Sequence, residues 1–217
     1  RSYQRKFRLA AGLIILTVAV LAWYLGWYIQ RPAYALEQAV TAVREHDAEA
    51  FLRRVNVAAV CAAGYDDLTY VLFARDTSLK ESERSASGKF YQNIKESVAE
   101  GLVRTIEDAV RSGTWAAPAG VDALKGRQLG IDYEYLMECS HLRDTELLSI
   151  GAVVRDGSAA TATIHVRDGG TGLEFPLQLR MEQGESGWQI VRAANYRAYL
   201  EAVQSAAAAD VARYIEA

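Results

Sequence analysis

Residues Leu9 to Ile29 run for 21 positions without a charged side chain, a length unmatched elsewhere in the 217 residues. At a rise of about 1.5 Å per residue, a helix of that length reaches across the ~30 Å hydrocarbon core of a bilayer. It has no polar face over about six turns, which argues against a helix buried in a globular core. The chain therefore divides into 1–31, a cytoplasmic stub with a transmembrane anchor, and 32–217, a domain beyond the membrane. Arg1, Arg5, Lys6 and Arg8 precede the run and only Arg31 follows it closely. Positive charge stays on the cytoplasmic side, so the N-terminus is expected inside. Trp23, Tyr24, Trp27 and Tyr28 crowd the outer end, where amphipathic rings sit well at the headgroup level. A cleaved signal peptide is the competing reading, because Ala33-Tyr34-Ala35 has the small-x-small form of a cleavage site. The apolar run, however, exceeds the roughly 7–15 residues of a signal core.

Charge and cysteine usage narrow the partners. Five of the 24 basic residues lie in 1–31, which leaves 19 against 27 acidic residues in the domain, a net charge of −8. An acidic domain repels phosphate backbones, so nucleic acid is excluded as the expected partner, and anionic lipid headgroups are repelled in the same way. Arginine well above lysine, with abundant alanine, is the usage associated with a GC-rich bacterial genome. Together with the anchor it places the chain in a bacterial inner membrane, with the main domain periplasmic or extracellular. Cys61 and Cys139 are the only cysteines. Outside the cytoplasm they can pair as a disulfide, or remain two free thiols used as small apolar residues. No CxxC, Cys/His cluster or HExxH is present, so neither a metal nor a cofactor is expected.

Along the domain, helical spacing comes first. Tyr34, Leu36, Ala39, Val40, Val43, Ala50, Phe51 and Val55 form an apolar stripe, in a helix relaxed around His46-Asp47. Val57 to Phe73 is a second, more apolar helix. Residues 75–89 (RDTSLKESERSASGK) read as a solvated loop or helix start. Phe90 to Arg111 is helical, with Ile94, Val98, Leu102, Ile106 and Val110 four apart, and a short helix is expected before Cys139.

At Thr145 the period becomes two. Thr145–Val154, Ala160–Arg167, Leu173–Glu182 and Trp188–Ala193 read as strands joined by Asp156-Gly157, Asp168–Gly172 and Gly184–Gly187 turns. Pro176 lacks an N–H and favours an edge or a bulge. Tyr196 to Ile215 returns to helix. The class is α+β: helices over 34–139 packed on a four-stranded antiparallel meander over 145–194, then a C-terminal helix over 196–215.

The stretch Arg31, Tyr34, Leu36, Ala39, Val43, Asp47, Phe51 and Val55 directly after the anchor resembles the opening of an uncharacterised bacterial family of single-pass, membrane-anchored envelope proteins. Gly187-Trp188-Gln189-Ile190-Val191 with Asn195 and Tyr199-Leu200 is similar to its close, while Asn56 departs from an expected acidic residue. The resemblance implies an envelope location and assigns no catalytic residue. The order of helices and meander also resembles the cone-shaped fold of nuclear transport factor 2-like domains, which implies a cavity between helices and sheet.

No phosphate loop, GxSxG or paired-carboxylate motif stands out, so no catalytic residue is assigned and the chain is not expected to be an enzyme. His46 and His165 are expected at the surface. His141 has an aromatic neighbourhood, and Asp132, Tyr133 and His141 are the speculative lining of a cavity, where they would serve as acid or base. The leading expectation is a non-catalytic interaction or scaffold protein that binds another envelope protein or itself. The alternatives are a domain holding a small apolar ligand and, behind it, an isomerase- or hydrolase-like enzyme.

Overall fold

A computed structural model describes residues 15–24, 26–28, 30–74, 80–115 and 133–216. Among these residues no helix is long and apolar enough to cross a membrane. The predicted anchor falls partly on residues 9–14, 25 and 29, which lie outside the described ones. Residues 15–24 and 26–28 are helical, and most of their apolar side chains are exposed, Ile15 at 69% and Trp23 at 73%.

Pro32 does not merely stop the preceding helix. It opens α1 (Pro32–Arg44) at the first helical position, where a missing N–H costs nothing, behind an extended Arg31. The buried face of α1 is Ala35, Leu36, Ala39 and Ala42, while Val43 is 43% exposed, so the stripe is turned from the expected one. Small side chains win there because Trp188 and Met181 of the sheet supply the bulk.

At His46 (φ +59°) the chain turns through the left-handed region. The Asp47 and His46 N–H groups donate to the Ala42 and Val43 carbonyls at 2.9 and 3.3 Å, closing a Schellman cap. His46 is therefore exposed as expected, but on a turn rather than on a helix. Its Nδ1 lies 3.1 Å from the Val110 carbonyl. The ring fills the space beside Gly113 (φ +73°), where a Cβ would stand 2.3 Å from it. Asp47 caps α2 (Ala48–Arg54) and Asn56 caps α3 (Val57–Thr69), each accepting from the backbone N–H three residues on. Asn56 thus does what an acidic residue would do there.

After α3 come a π-helical turn (Tyr70–Ala74) and α4 (Glu81–Ser112), which begins inside the stretch expected as a solvated loop or helix start. Short α5 (Tyr133–Cys139) precedes strands β1 (Thr145–Asp156), β2 (Ala159–Asp168), β3 (Glu174–Gly184) and β4 (Gly187–Ala193), and α6 (Tyr196–Glu216) closes the chain. The sheet is antiparallel in the order β1-β2-β3-β4. This is the expected α+β meander, with helices on one face.

Pro176 lies in an interior strand, yet at a local edge. β4 pairs β3 only as far as Leu179, and the Asn195 side chain takes over beyond it. Its Oδ1 accepts from Gln178 N–H at 2.7 Å and its Nδ2 donates to the Pro176 carbonyl at 2.9 Å. The nitrogen of Pro176 faces the side where no strand asks for a hydrogen.

The core has two lobes. One gathers Ala35, Leu36, Ala39, Ala160, Ala162, Met181, Trp188 and Ile190 near the β3–β4 turn. The other gathers Tyr65, Leu68, Val98, Leu136, Val166, Tyr196, Tyr199, Leu200 and Val203 toward the β2–β3 turn. On α6 only the first two turns are buried, and Ala207 and Val211 are exposed.

The cap at Asn56 can be tested by urea denaturation. Asn56→Ala is expected to cost about 1 kcal/mol, whereas Asn56→Asp, which restores a carboxylate at a helix N-terminus, is expected to cost nothing.

Candidate functional site

Where the two lobes meet, the side chains leave a cavity of about 220 Å³. Helix α3 contributes Val60, Cys61, Gly64, Tyr65 and Leu68, and α4 contributes Leu102 and Ile106. Leu177 and Leu179 of β3 form the sheet side, because period two puts both on the helix-facing surface. Tyr196 and Tyr199 of α6 close one end, with Leu136, Ser140, Leu142 and Thr145 beside them. Gly64 keeps the space open: a Cβ there would meet the Tyr196 ring at 3.7 Å, an ordinary contact.

The few polar atoms at the wall are satisfied within the protein. Tyr196 donates its O–H to the Ser140 carbonyl at 2.7 Å, and Ser140 Oγ donates to Met137 O at 2.7 Å. Thr145 Oγ1 sits 2.6 Å from the His141 carbonyl and 2.8 Å from the Tyr199 hydroxyl. Burial raises the Tyr196 and Tyr199 phenols above their ordinary pKa, and it pushes the Cys61 thiol up to about 12. Among the described residues no charged side chain lines the space, so the walls they form suit neutral apolar matter.

Behind this wall stands an ionic anchor. Asp168 ends β2 completely buried, with Oδ1 2.9 Å from His141 Nδ1 and Oδ2 accepting the Thr171 N–H and Oγ1–H at 2.8 and 2.7 Å. Burial raises its carboxyl. The Thr171 bonds and the His141 ring outweigh that and hold it below the usual carboxylate range. His141 itself is in the left-handed region (φ +55°) just past α5. Asp168 and His141 together tie the segment between α5 and β1 to the β2–β3 turn, which Gly169 N–H reinforces by donating to Asp144 O at 2.8 Å.

The expected site residues fare unevenly. His141 is brought to Asp168, and it lies behind the cavity wall rather than in it, between Ser140 and Leu142. Tyr133 starts α5, and Asp132 lies outside the described residues. His165 is exposed on β2. Cys61 and Cys139 are unbonded, the second of the two states that the sequence leaves open. Cys61 lies on α3 against the cavity, while Cys139 ends α5 and shares a hydrogen bond with Tyr135. Trp23, Tyr24 and Trp27, expected at a membrane interface, are exposed. Tyr28 instead donates to Glu37 at 3.0 Å and packs edge-on against Tyr34.

Asp168 escaped notice as a mere turn residue. Yet the alternation Ala162, Ile164, Val166 continues onto position 168 and puts its carboxylate on the buried face. Tyr199 lies three residues from Tyr196 on the same helical face.

Residues 21–110 match a family described as "Protein of unknown function (DUF2939)". The matched part holds the apolar opening up to Val55 and the α3–α4 side of the cavity, and it stops before the sheet. No curated protein matches the chain.

A lowered carboxyl pKa contributes stability that is full above the ordinary carboxylate range, near pH 4, and is lost as pH falls through the lowered value. Stability measured by denaturant from pH 7 to pH 3 is therefore expected to fall on the acid side. Asp168→Asn should flatten that limb. Asp168→Ala, which strands three donors, is expected to cost about 2–3 kcal/mol at pH 7.

Proposed function

We propose that this chain is a membrane-anchored, non-catalytic binding protein of the bacterial envelope, whose exported domain holds a small apolar ligand between helices and sheet. The cavity is the observation that carries it. It is larger than the ~150 Å³ engineered cavity that stays dry and accepts benzene, and smaller than typical drug-sized pockets of roughly 300 Å³ and above. A single ring with a short alkyl arm, or the end of a hydrocarbon chain, matches that space. Helices laid over one face of a meander, with a space between them, support the cone-like reading of the fold. The uncharged run 9–29 and the exposed side chains of its described part support the anchor. The cavity also moves weight from the scaffold reading to the ligand reading.

The scaffold reading keeps one observation of its own. A shallow groove of about 540 Å³ between α3 and α4 is lined by the small residues Ala58, Ala62, Ala99 and Val103 together with Gln92, Asn93, Lys95, Glu96 and Glu100. Small residues allow a partner helix to approach closely. Stoichiometric co-purification of an envelope protein from native membranes, abolished by Ala62→Arg, would support that use.

The ligand reading is tested on the full chain in nanodiscs by the rate of Cys61 alkylation, with Cys139 as internal reference. Butylbenzene is expected to slow Cys61 modification severalfold, and benzoate, which carries a charge, to leave it unchanged. Gly64→Leu should give the slow rate without any ligand. Gly64→Ala removes a mid-helix glycine and is expected to raise stability by about 0.5–1 kcal/mol, or roughly 2–4 °C. Equal Cys61 rates with and without butylbenzene in the unmodified chain would refute the reading.

A further inference from the structure

The domain is acidic overall, yet three arginines without a carboxylate partner stand together at one end of it. Arg53, Arg111, Arg143, Arg167, Arg192 and Arg197 each face a carboxylate. Among the described residues Arg31, Arg44, Arg54, Arg155 and Arg180 face no carboxylate, and Arg31, Arg54 and Arg155 stand together at one end. That end is built around Trp188, whose Nε1–H donates to the Gln30 carbonyl at 2.9 Å. Arg155 lies 5.2 Å over the Trp188 ring, with its Nε–H bonded to Gly157 O at 2.9 Å. Arg54 Nη1 stands 3.2 Å from where a Cβ on Gly187 would be. Arg31 covers the Trp27 ring at 3.4 Å. The β1–β2 and β3–β4 turns lie at this same end, joined by Gln183 N–H donating to Ser158 O at 2.8 Å.

The apolar helix enters the domain here with almost no linker. Trp27 and Tyr28 are held to Arg31, Tyr34 and Glu37, so the domain cannot swing freely about the helix. If the helix crosses a membrane, this end must face the lipid surface. Asp156 and Glu185 stand on the two turns, so the end projects no strong long-range positive field. What it offers is local: guanidinium forks, free of carboxylates, at the depth of the headgroups. A planar fork matches a phosphodiester.

We propose that this end of the domain rests on the membrane surface, with Arg31, Arg54 and Arg155 bonded to phospholipid phosphodiesters. The proposal depends on the anchor reading of 9–29 and adds a fixed orientation to it. The two turns at 157–158 and 185–186 lie against the lipid. The β2–β3 turn and the Asp168–His141 anchor stand one strand length away, roughly 25–30 Å off the surface.

The test uses the full chain in vesicles of phosphatidylcholine with a quarter phosphatidylglycerol. The photo-crosslinking residue p-benzoylphenylalanine replaces Ser158 in one variant and Glu174, at the opposite end, in another. Lipid adducts are counted by mass spectrometry, and flotation reports membrane insertion. Adducts are expected from position 158 and not from 174. Arg31→Glu with Arg54→Glu should lower the yield at 158 about fivefold or more without changing flotation, whereas Arg31→Lys with Arg54→Lys should keep most of it. Flotation without adducts at 158, or a yield indifferent to charge reversal, would overturn the docking and leave the anchor standing. A chain that does not float would overturn both. A far-ultraviolet melting curve shared by the glutamate and lysine variants shows that folding is not the cause.

Discussion

The indole of Trp188 joins the parts of this molecule. It is 2% exposed and sits among Ala35, Ala39, Ala160 and Ala162, whose small side chains are what make room for it. Packing complementarity of this kind, one large ring against many methyls, fixes the distance between α1 and the sheet more tightly than a uniform leucine layer would. The same ring donates its only hydrogen to the backbone just before α1. A buried N–H without a partner is costly, so the route of the chain into the domain is fixed by the core itself.

From that lobe the order passes to the other by way of charge as well as packing. Asp67, 3% exposed on α3, binds Arg192 of β4 and Arg197 of α6 at 3.3 and 3.1 Å, and Arg197 stacks 3.8 Å over Tyr70. Asp168 does the same at the far end for the segment before β1. Both carboxylates are compensated where they are buried, so they orient neighbouring elements rather than wait for a reactant. His141, the one histidine with an aromatic neighbourhood, belongs to that orienting role: its Nδ1 is committed to Asp168 and its ring lies outside the cavity.

Much of the sheet was legible because period two is a strong signal over ten residues: Phe175, Leu177, Leu179 and Met181 all face the helices. The helices were harder. In α1 apolar count favoured Val43, but the decisive quantity was size, which only the partner surface reveals. The start of α4 reads only as a solvated loop or a helix start, because Ser and charged residues carry no apolar period there. Once a helix is nucleated by a buried segment such as Ile94–Val98, each further residue adds a hydrogen bond without needing burial. The cavity was legible only through fold analogy. No residue pattern announces empty space, and the Asp168 carboxylate was concealed by its position in a glycine-rich turn.

The empty space is also the strongest physical argument about use. Apolar walls around a space of about 220 Å³ forgo contacts that a matching occupant would supply. Gly64 sits mid-helix, where alanine would form a better helix and has room for its methyl against Tyr196. The contact with Tyr196 therefore does not require a glycine at this position. A ligand that fills the space would recover the lost contacts and shift the folded state by mass action. It would do so through dispersion and apolar transfer alone, since Tyr196, Tyr199, Ser140 and Thr145 have already spent their hydrogen bonds on one another and on the backbone. An occupant that must be uncharged and without hydrogen-bonding groups where it enters is the kind of molecule that concentrates in a bilayer. Under the proposed anchoring, the domain would be well placed to meet it.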